Sequence, residues 1–308
     1  MSSSVLTRTT IHGRAPKYRG KVRETYDIGD ERLLMVATDR ISALDIVLPN
    51  GVPDKGRILT LLSEWWFWRL KEWGIPHHFV ATVTAQNELD ILGRGLPSEY
   101  HGRSMVVRQA QRLDCEAIVR GYITGSGWKD YQTTGAICGI KLDPGLIESQ
   151  EFAVPLFTPS TKAEVGHDQN ISFQELMTII GHDKADVVRD LSFKIYAQAR
   201  QLAREQGIII ADTKFEFGVI NDRVILIDEV LTPDSSRFWP LVGYEAGHGQ
   251  PSFDKQPVRD WLSGERAAGR WDGTQESAPA MPEQLIEKTS ERYHQIYRLL
   301  TGSELKVA

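Results

Sequence analysis

The chain has 308 residues, 41% hydrophobic and 25% charged, enough for one large core or two modest ones and too apolar for disorder. Its net charge is −5 and its basic residues are scattered, which excludes a nucleic-acid footprint or a membrane-surface patch and leaves small molecules as ligands. The N-terminal MSSSVLTRTT lacks an apolar h-region, no run approaches the roughly 20 apolar residues of a membrane span, and Cys115 and Cys138 show neither CxxC spacing nor a nearby His; these features describe a cytoplasmic protein with no disulfide framework or zinc site.

From Gly20 to Thr38, KVRETYDI and RLLMVAT flank Gly29-Asp30-Glu31, which predicts a β-hairpin. A helix is expected from about Gly56 to Trp73, where Leu59, Leu62, Trp66 and Leu70 recur at three- and four-residue spacing and Gly74 ends it. That spacing assigns the Trp65–Trp68 aromatic cluster to a core or interface rather than to stacking on bases. Strand-like SMVVRQ follows, and the domain boundary is expected after it, dividing residues 1–114 from 115–308. Ser172 with Glu175 is a capping-box pair, Asp183 opens a helix that Gly207 ends, and Pro282 and Gly302 bracket a terminal amphipathic helix.

The strand IIIADTKFEFG, Ile208 to Gly218, alternates Asp212, Lys214 and Glu216 with Thr213, Phe215 and Phe217, so a period of two places the three charges on one face. After a turn at Asn221, Asp222 and Arg223 a second apolar strand ends in Asp228 and Glu229. A two-residue turn would set Asp228 opposite Phe215, on the apolar face, at a cost of several kcal/mol. A three-residue connection pairs Ile220 with Val224 and sets Glu216 opposite Asp228, with Cβ atoms roughly 5 Å apart. Two such carboxylates repel unless a cation lies between them, and oxygen-only ligands suit magnesium completed by substrate phosphates.

Other residues carry weaker signals. Gly20-Lys21 at the mouth of the first hairpin reads either as a phosphate contact or as a surface lysine after a turn glycine; no GxxxxGK[ST] or GxGxxG accompanies it. Arg120, Ser126 and the glycines of RGYITGSG bring a guanidinium fork and a hydroxyl around a bend that fits a phosphate monoester, with Arg237 as a second fork. Asp39, Ser42 and Asp45 end a strand and read equally as ligand contacts or caps. The polar stretch Thr158 to Asn170, with Lys162, His167 and Asp168, reads as a covering loop or a plain connector.

Together these segments resemble the phosphoribosylaminoimidazole-succinocarboxamide synthase, or SAICAR synthetase, family. Its pattern is visible in RGKVRETYD, ATDRISALD, EAIVRGYITGSG, STKAEVGHDQN, ADTKFEFG, DEVLTPDSSRFWP and DKQPVRDWL, in order from Arg19 to Leu262. One local departure is Gly166-His167-Asp168, where an acidic residue often precedes the His. The resemblance implies an α+β fold of SAICAR synthase-like, ATP-grasp type, with an N-terminal antiparallel sheet like a kinase small lobe, a larger α/β domain and C-terminal helices. It implies an ATP-dependent ligase of purine biosynthesis that joins L-aspartate to carboxyaminoimidazole ribonucleotide (CAIR) through an acyl phosphate. Magnesium would be held by Glu216 and Asp228, with Gly20, Lys21, Lys162 and Lys214 serving ATP and catalysis. Arg120, Ser126 and Arg237 would hold the ribonucleotide phosphate, with Asp212 beside the nucleotide substrate and Asp39 and Ser42 near its reacting end.

Two readings from other classes stand beside this one. A small-molecule kinase would keep the acidic pair without needing aspartate for ADP release, and a regulatory nucleotide-binding module would bind ATP without turnover.

Overall fold

In the computed structural model, described for residues 5–162 and 168–305, the chain forms two compact units. The first comprises residues 1–67, 78–109 and 253–308; the second comprises 68–77 and 110–252.

The first unit opens with β1 (Tyr18–Arg19), β2 (Arg23–Gly29) and β3 (Arg32–Ala37). The β2–β3 turn places Asp30 and Glu31 in the left-handed region, φ 51 and 53°, which matches the right-handed twist of a two-residue hairpin. A second small hairpin, β4 (Ser42–Ala43) and β5 (Ile46–Val47), precedes α1 (Lys55–Glu72). Leu59, Leu62, Trp66 and Leu70 of α1 are all fully buried, as their spacing predicts. β6 (Phe79–Thr82), the short α2 (Glu88–Leu92) and β7 (Ser104–Arg108) follow, and the sheet runs β1-β2-β3-β7-β6, antiparallel throughout.

The second unit is built on β8 (Gln111–Arg112), β9 (Cys115–Tyr122), α3 (Gly125–Thr134), β10 (Ala136–Ile137), β11 (Ile140–Lys141), β12 (Glu151–Phe157) and β13 (Ser160–Thr161). Helices α4 (Phe173–Ile180) and α5 (His182–Glu205) lead to β14 (Ile208–Ile220), β15 (Arg223–Ile227) and β16 (Ser236–Pro240). Ser172 caps α4 in a complete capping box. Ala185, Val188, Ser192, Ile195, Tyr196, Ala199 and Ala203 form the buried stripe of α5, which packs on β14. β14 is the organiser: β9 and β15 flank it, and β16 and β8 also pair with it.

The chain then returns to the first unit as α6 (Gln256–Ala267) and α7 (Glu283–Thr301). Val258, Leu262, Trp271 and Met281 share a core with Ile41, Ala43, Ile46, Leu48 and Val52, and the Gln275 side-chain amide pairs with both backbone groups of Val47 at 2.7 Å. The units divide at 109/110 and the C-terminal helices lie with the first, where their apolar faces are covered by residues 41–52; the sequence expectation places the boundary after residue 114 and the helices beyond it. β9, at the start of the expected second domain, is a buried central strand.

The β14–β15 register corrects the expectation of a three-residue connection. The turn has two residues, Asn221 and Asp222, both left-handed at φ 48 and 59°, so Ile220 pairs with Arg223 and Glu216 with Ile227. The predicted penalty for Asp228 does not arise because the strand ends at Ile227: Asp228 itself turns to φ 60° and leaves the alternation that would have aimed it at the apolar face.

Candidate active site

Three adjacent strands line up the first part of the site. In register, Asp212 of β14 stands opposite Arg120 of β9 on one side and Arg237 of β16 on the other. Arg120 Nη1 donates to Asp212 Oδ2 at 3.1 Å, and Arg237 Nη1 donates to the same oxygen. The Arg120 guanidinium is fully committed, its Nε donating to Thr158 Oγ1 and its Nη2 to Ser126 Oγ, both at 3.0 Å. Burial pulls its pKa down against the opposing pull of Asp212. The side chain of Arg120 is 2% exposed and that of Arg237 22%, so Arg237 is the fork that reaches solvent and Arg120 is its buttress. With two guanidinium groups on one carboxylate the row carries a surplus positive charge, beside the first turn of α3.

The glycines of this bend are required by close approach. Gly125 has φ 58°, and a Cβ there would lie 2.4 Å from Arg237 Nη2. At Gly121 a Cβ would lie 1.9 Å from the hydroxyl of Tyr196, which donates to the Ile210 carbonyl at 2.8 Å and ties α5 to β14.

Further along the same face of β14 lies a knot of ammonium and carboxylate groups. Lys214 Nζ donates to Glu116 Oε1 at 2.5 Å, and Lys162 Nζ donates both to Glu116 Oε1 at 3.2 Å and to Glu216. Burial, reinforced by the charge of Asp228, pushes the Glu216 carboxyl above its ordinary range against the pull of Lys162 and Lys214. Burial works against the Lys162 and Lys214 ammonium groups as well, but the surrounding carboxylates, Glu216 and Glu116 for Lys162 and Glu116 first for Lys214, outweigh it and both pKa values rise. Glu116 and Glu216 thus accept from two lysines, with the charge of Asp228 adding to the negative side of the cluster. Lys162 leads into the stretch expected to be a loop, whose Ser160–Thr161 in fact pairs with β9; Gly166 and His167 lie outside the described residues, and Asp168 is exposed.

The remaining sequence candidates lie in the first unit. Gly20 and Lys21 lie between β1 and β2, and Lys21 Nζ donates to Asp45 Oδ1 at 2.6 Å with both side chains about half exposed. A surface bridge of this kind contributes at most about 1 kcal/mol and releases the lysine readily. Ser42 is buried in β4. Asp39 does not fit its expected place beside substrate: it is fully buried, Oδ1 accepts from Gly56 N at 2.9 Å and Arg103 Nη1 at 2.9 Å, and Oδ2 accepts from Leu6 N at 2.8 Å. It is an internal pillar of the first unit.

The sequence pattern of SAICAR synthetase matches residues 16–275. The chain belongs to this family. A phosphoribosylaminoimidazole-succinocarboxamide synthase of Thermodesulfovibrio yellowstonii is 51% identical over 97% of this chain and 99% of its own length, and one of Geotalea uraniireducens is 50% identical over 98% and 99%. Among solved structures, the SAICAR synthase of Saccharomyces cerevisiae complexed with SAICAR superimposes with a TM-score of 0.85 at 42% identity, covering 98% of this chain and all of the other. A SAICAR synthetase in complex with ADP shares the fold at a TM-score of 0.67 and 23% identity, over 94% and 99%. As a SAICAR synthetase the chain is an ATP-dependent carbon–nitrogen ligase of purine biosynthesis, which sets aside the kinase and the regulatory module. Among the described residues no helix is long and apolar enough to cross a membrane.

Sequence reasoning missed three contributors to this SAICAR synthetase site. Glu116 was legible in principle, since Glu116, Ile118 and Arg120 share one face of β9 by the same period of two that revealed β14. Thr158 and Tyr196 reach the site from β12's end and α5, and no local signal marks them.

Proposed function

We propose that the charged face of β14 is the axis along which the enzyme joins L-aspartate to CAIR with cleavage of ATP. The observation that carries the reading is the single row Asp212, Lys214, Glu216. Its Asp212 end is set between two guanidinium groups and its Glu216 end among lysines and carboxylates, roughly 13 Å apart at about 3.3 Å per residue. The first end suits a phosphate monoester, with Arg237 as its bidentate donor, Ser126 beside it and Arg120 holding Asp212 and Ser126 in place. At the second end Lys162 and Lys214 offset the charge of a carboxylate that meets the terminal phosphoryl group of ATP, which is the principal demand of phosphoryl transfer. The Gly20-Lys21 loop is read separately, as an ATP-phosphate contact within the first unit.

A carboxylate is a poor electrophile for an amine. Transfer of the γ-phosphoryl group to a CAIR carboxylate oxygen gives an acyl phosphate; attack by the aspartate amine then forms the amide and expels phosphate with that oxygen. Glu216 and Asp228 would hold magnesium: both donors are carboxylates, and the charge of Asp228 works against that of Glu216; oxygen-only ligands suit this ion, with phosphate and water oxygens completing its shell. When bound there, the ion would neutralise charge on the phosphates.

Turnover of CAIR labelled with ¹⁸O in its carboxylate tests the reading. Label is expected in the released phosphate; unlabelled phosphate with normal product formation excludes the acyl phosphate.

A further inference from the structure

The geometry points to Arg40 as a positioning residue that shapes the nucleotide-phosphate loop at Gly20 and Lys21, an inference that rests on reading this loop as an ATP contact. Arg40 is buried, and its guanidinium spans two consecutive loop carbonyls: Nη2 donates to Gly20 O and Nε to Lys21 O, each at 3.0 Å. Nη1 donates to Glu24 Oε1 at 2.8 Å and to the Thr7 carbonyl.

A planar trans peptide points its C=O and the next residue's N–H in opposite directions. Drawing the Gly20 and Lys21 carbonyls onto Arg40 therefore turns the N–H groups of Lys21 and Val22 away from it, while the Lys21 ammonium is held by the half-exposed Asp45. The Gly20 N–H is itself tied to the Arg23 carbonyl at 2.8 Å, which fixes the start of the bend. Consecutive N–H groups presented on one side form a concavity for an anion, and Arg40 holds that concavity formed before ligand arrives. Charge neutralisation of Glu24 does not by itself require Arg40. Glu24 also has Arg19 Nε at 2.9 Å, and it accepts from the N–H and hydroxyl of Thr9 at 2.9 and 2.5 Å. The rigid fork is what the loop needs, and a lysine, with one ammonium on a flexible stem, keeps the charge but not the span.

Three variants separate this role from a structural one. Arg40→Lys should raise the KM for ATP about ten-fold or more through lost preorganisation and keep the KM values for CAIR and aspartate within about two-fold. Glu24→Gln, which loosens the ion pair but leaves both carbonyl contacts, should lower Tm while leaving the KM for ATP unchanged. Lys21→Ala reports on the underlying reading: if it leaves ATP affinity untouched, the loop is not the ATP contact and the inference falls with that reading. If Lys21→Ala weakens ATP and Arg40→Lys does not, or if Glu24→Gln raises the KM for ATP as much as Arg40→Lys, the positioning role is overturned while the ATP contact stands. Should Arg40→Lys fail to fold, the double variant Arg40→Gln, Glu24→Gln removes both buried charges together, and its KM for ATP is judged by the same criterion.

Discussion

Arg120 and Arg237 donate to the same oxygen, Asp212 Oδ2, from β9 and β16, the two strands that pair with β14 at that residue. The pair is unequal, because one guanidinium is enclosed and the other meets solvent. Arg237→Ala should weaken ribonucleotide binding by about 1.5 to 3 kcal/mol and leave ATP affinity and Tm nearly unchanged. Arg120→Ala should destabilise the fold by about 3 to 5 kcal/mol, since it strips a buried partner from Asp212. Calorimetry with each nucleotide and denaturant melts check the contrast; equal effects of the two variants on stability would refute it.

Gly125 lies against Arg237. Gly125→Ala adds a Cβ at 2.4 Å from Nη2 in a left-handed backbone, so the fork must move. The expected result is an increase of about ten-fold or more in the KM for CAIR, with the KM for ATP close to the parent's. Unchanged CAIR kinetics would show that Arg237 does not face the ribonucleotide.

Glu216 and Asp228 are the proposed magnesium pair. Glu216→Gln should lower turnover by roughly two orders of magnitude. Its Tm should change little, because relief of the repulsion by Asp228 is offset by the weaker partner left to Lys162. Steady-state rates across a magnesium titration decide the matter: a near-normal rate at limiting magnesium would remove Glu216 from the site.

Burial pushes the Glu24 carboxyl up, but hydrogen bonds from Thr9 and Arg40 outweigh it and its pKa lies below 4.5. A depressed acid stabilises the fold above its unfolded pKa, and the contribution is lost as pH falls through the folded value. Tm should therefore fall less steeply below pH 4.5 in Glu24→Gln than in the parent. Parallel curves would show that Glu24 contributes nothing to acid sensitivity.

Sequence alone determined the features that depend on near neighbours. The period of two that aligned Asp212, Lys214 and Glu216, the spacing that buried Leu59, Leu62, Trp66 and Leu70, and the capping box at Ser172 are set by backbone geometry within a few residues, so they were legible before any fold was known. So was the family pattern from Arg19 to Leu262. Tertiary structure decided the rest. Glu216 and Asp228 were expected to stand opposite one another across a three-residue turn; the two-residue turn holds instead, Glu216 pairs with Ile227, and Asp228 leaves the strand through a left-handed step. That step depends on strand β15 ending at Ile227, which a repeating pattern does not encode. Asp39 resembled a ligand contact until Arg103, Gly56 and Leu6 were seen to take its oxygens, partners up to 64 residues away in sequence. The terminal helices rejoin the first unit because the apolar faces they need are those of Ile41 to Val52, and no local rule says which distant face a helix will cover.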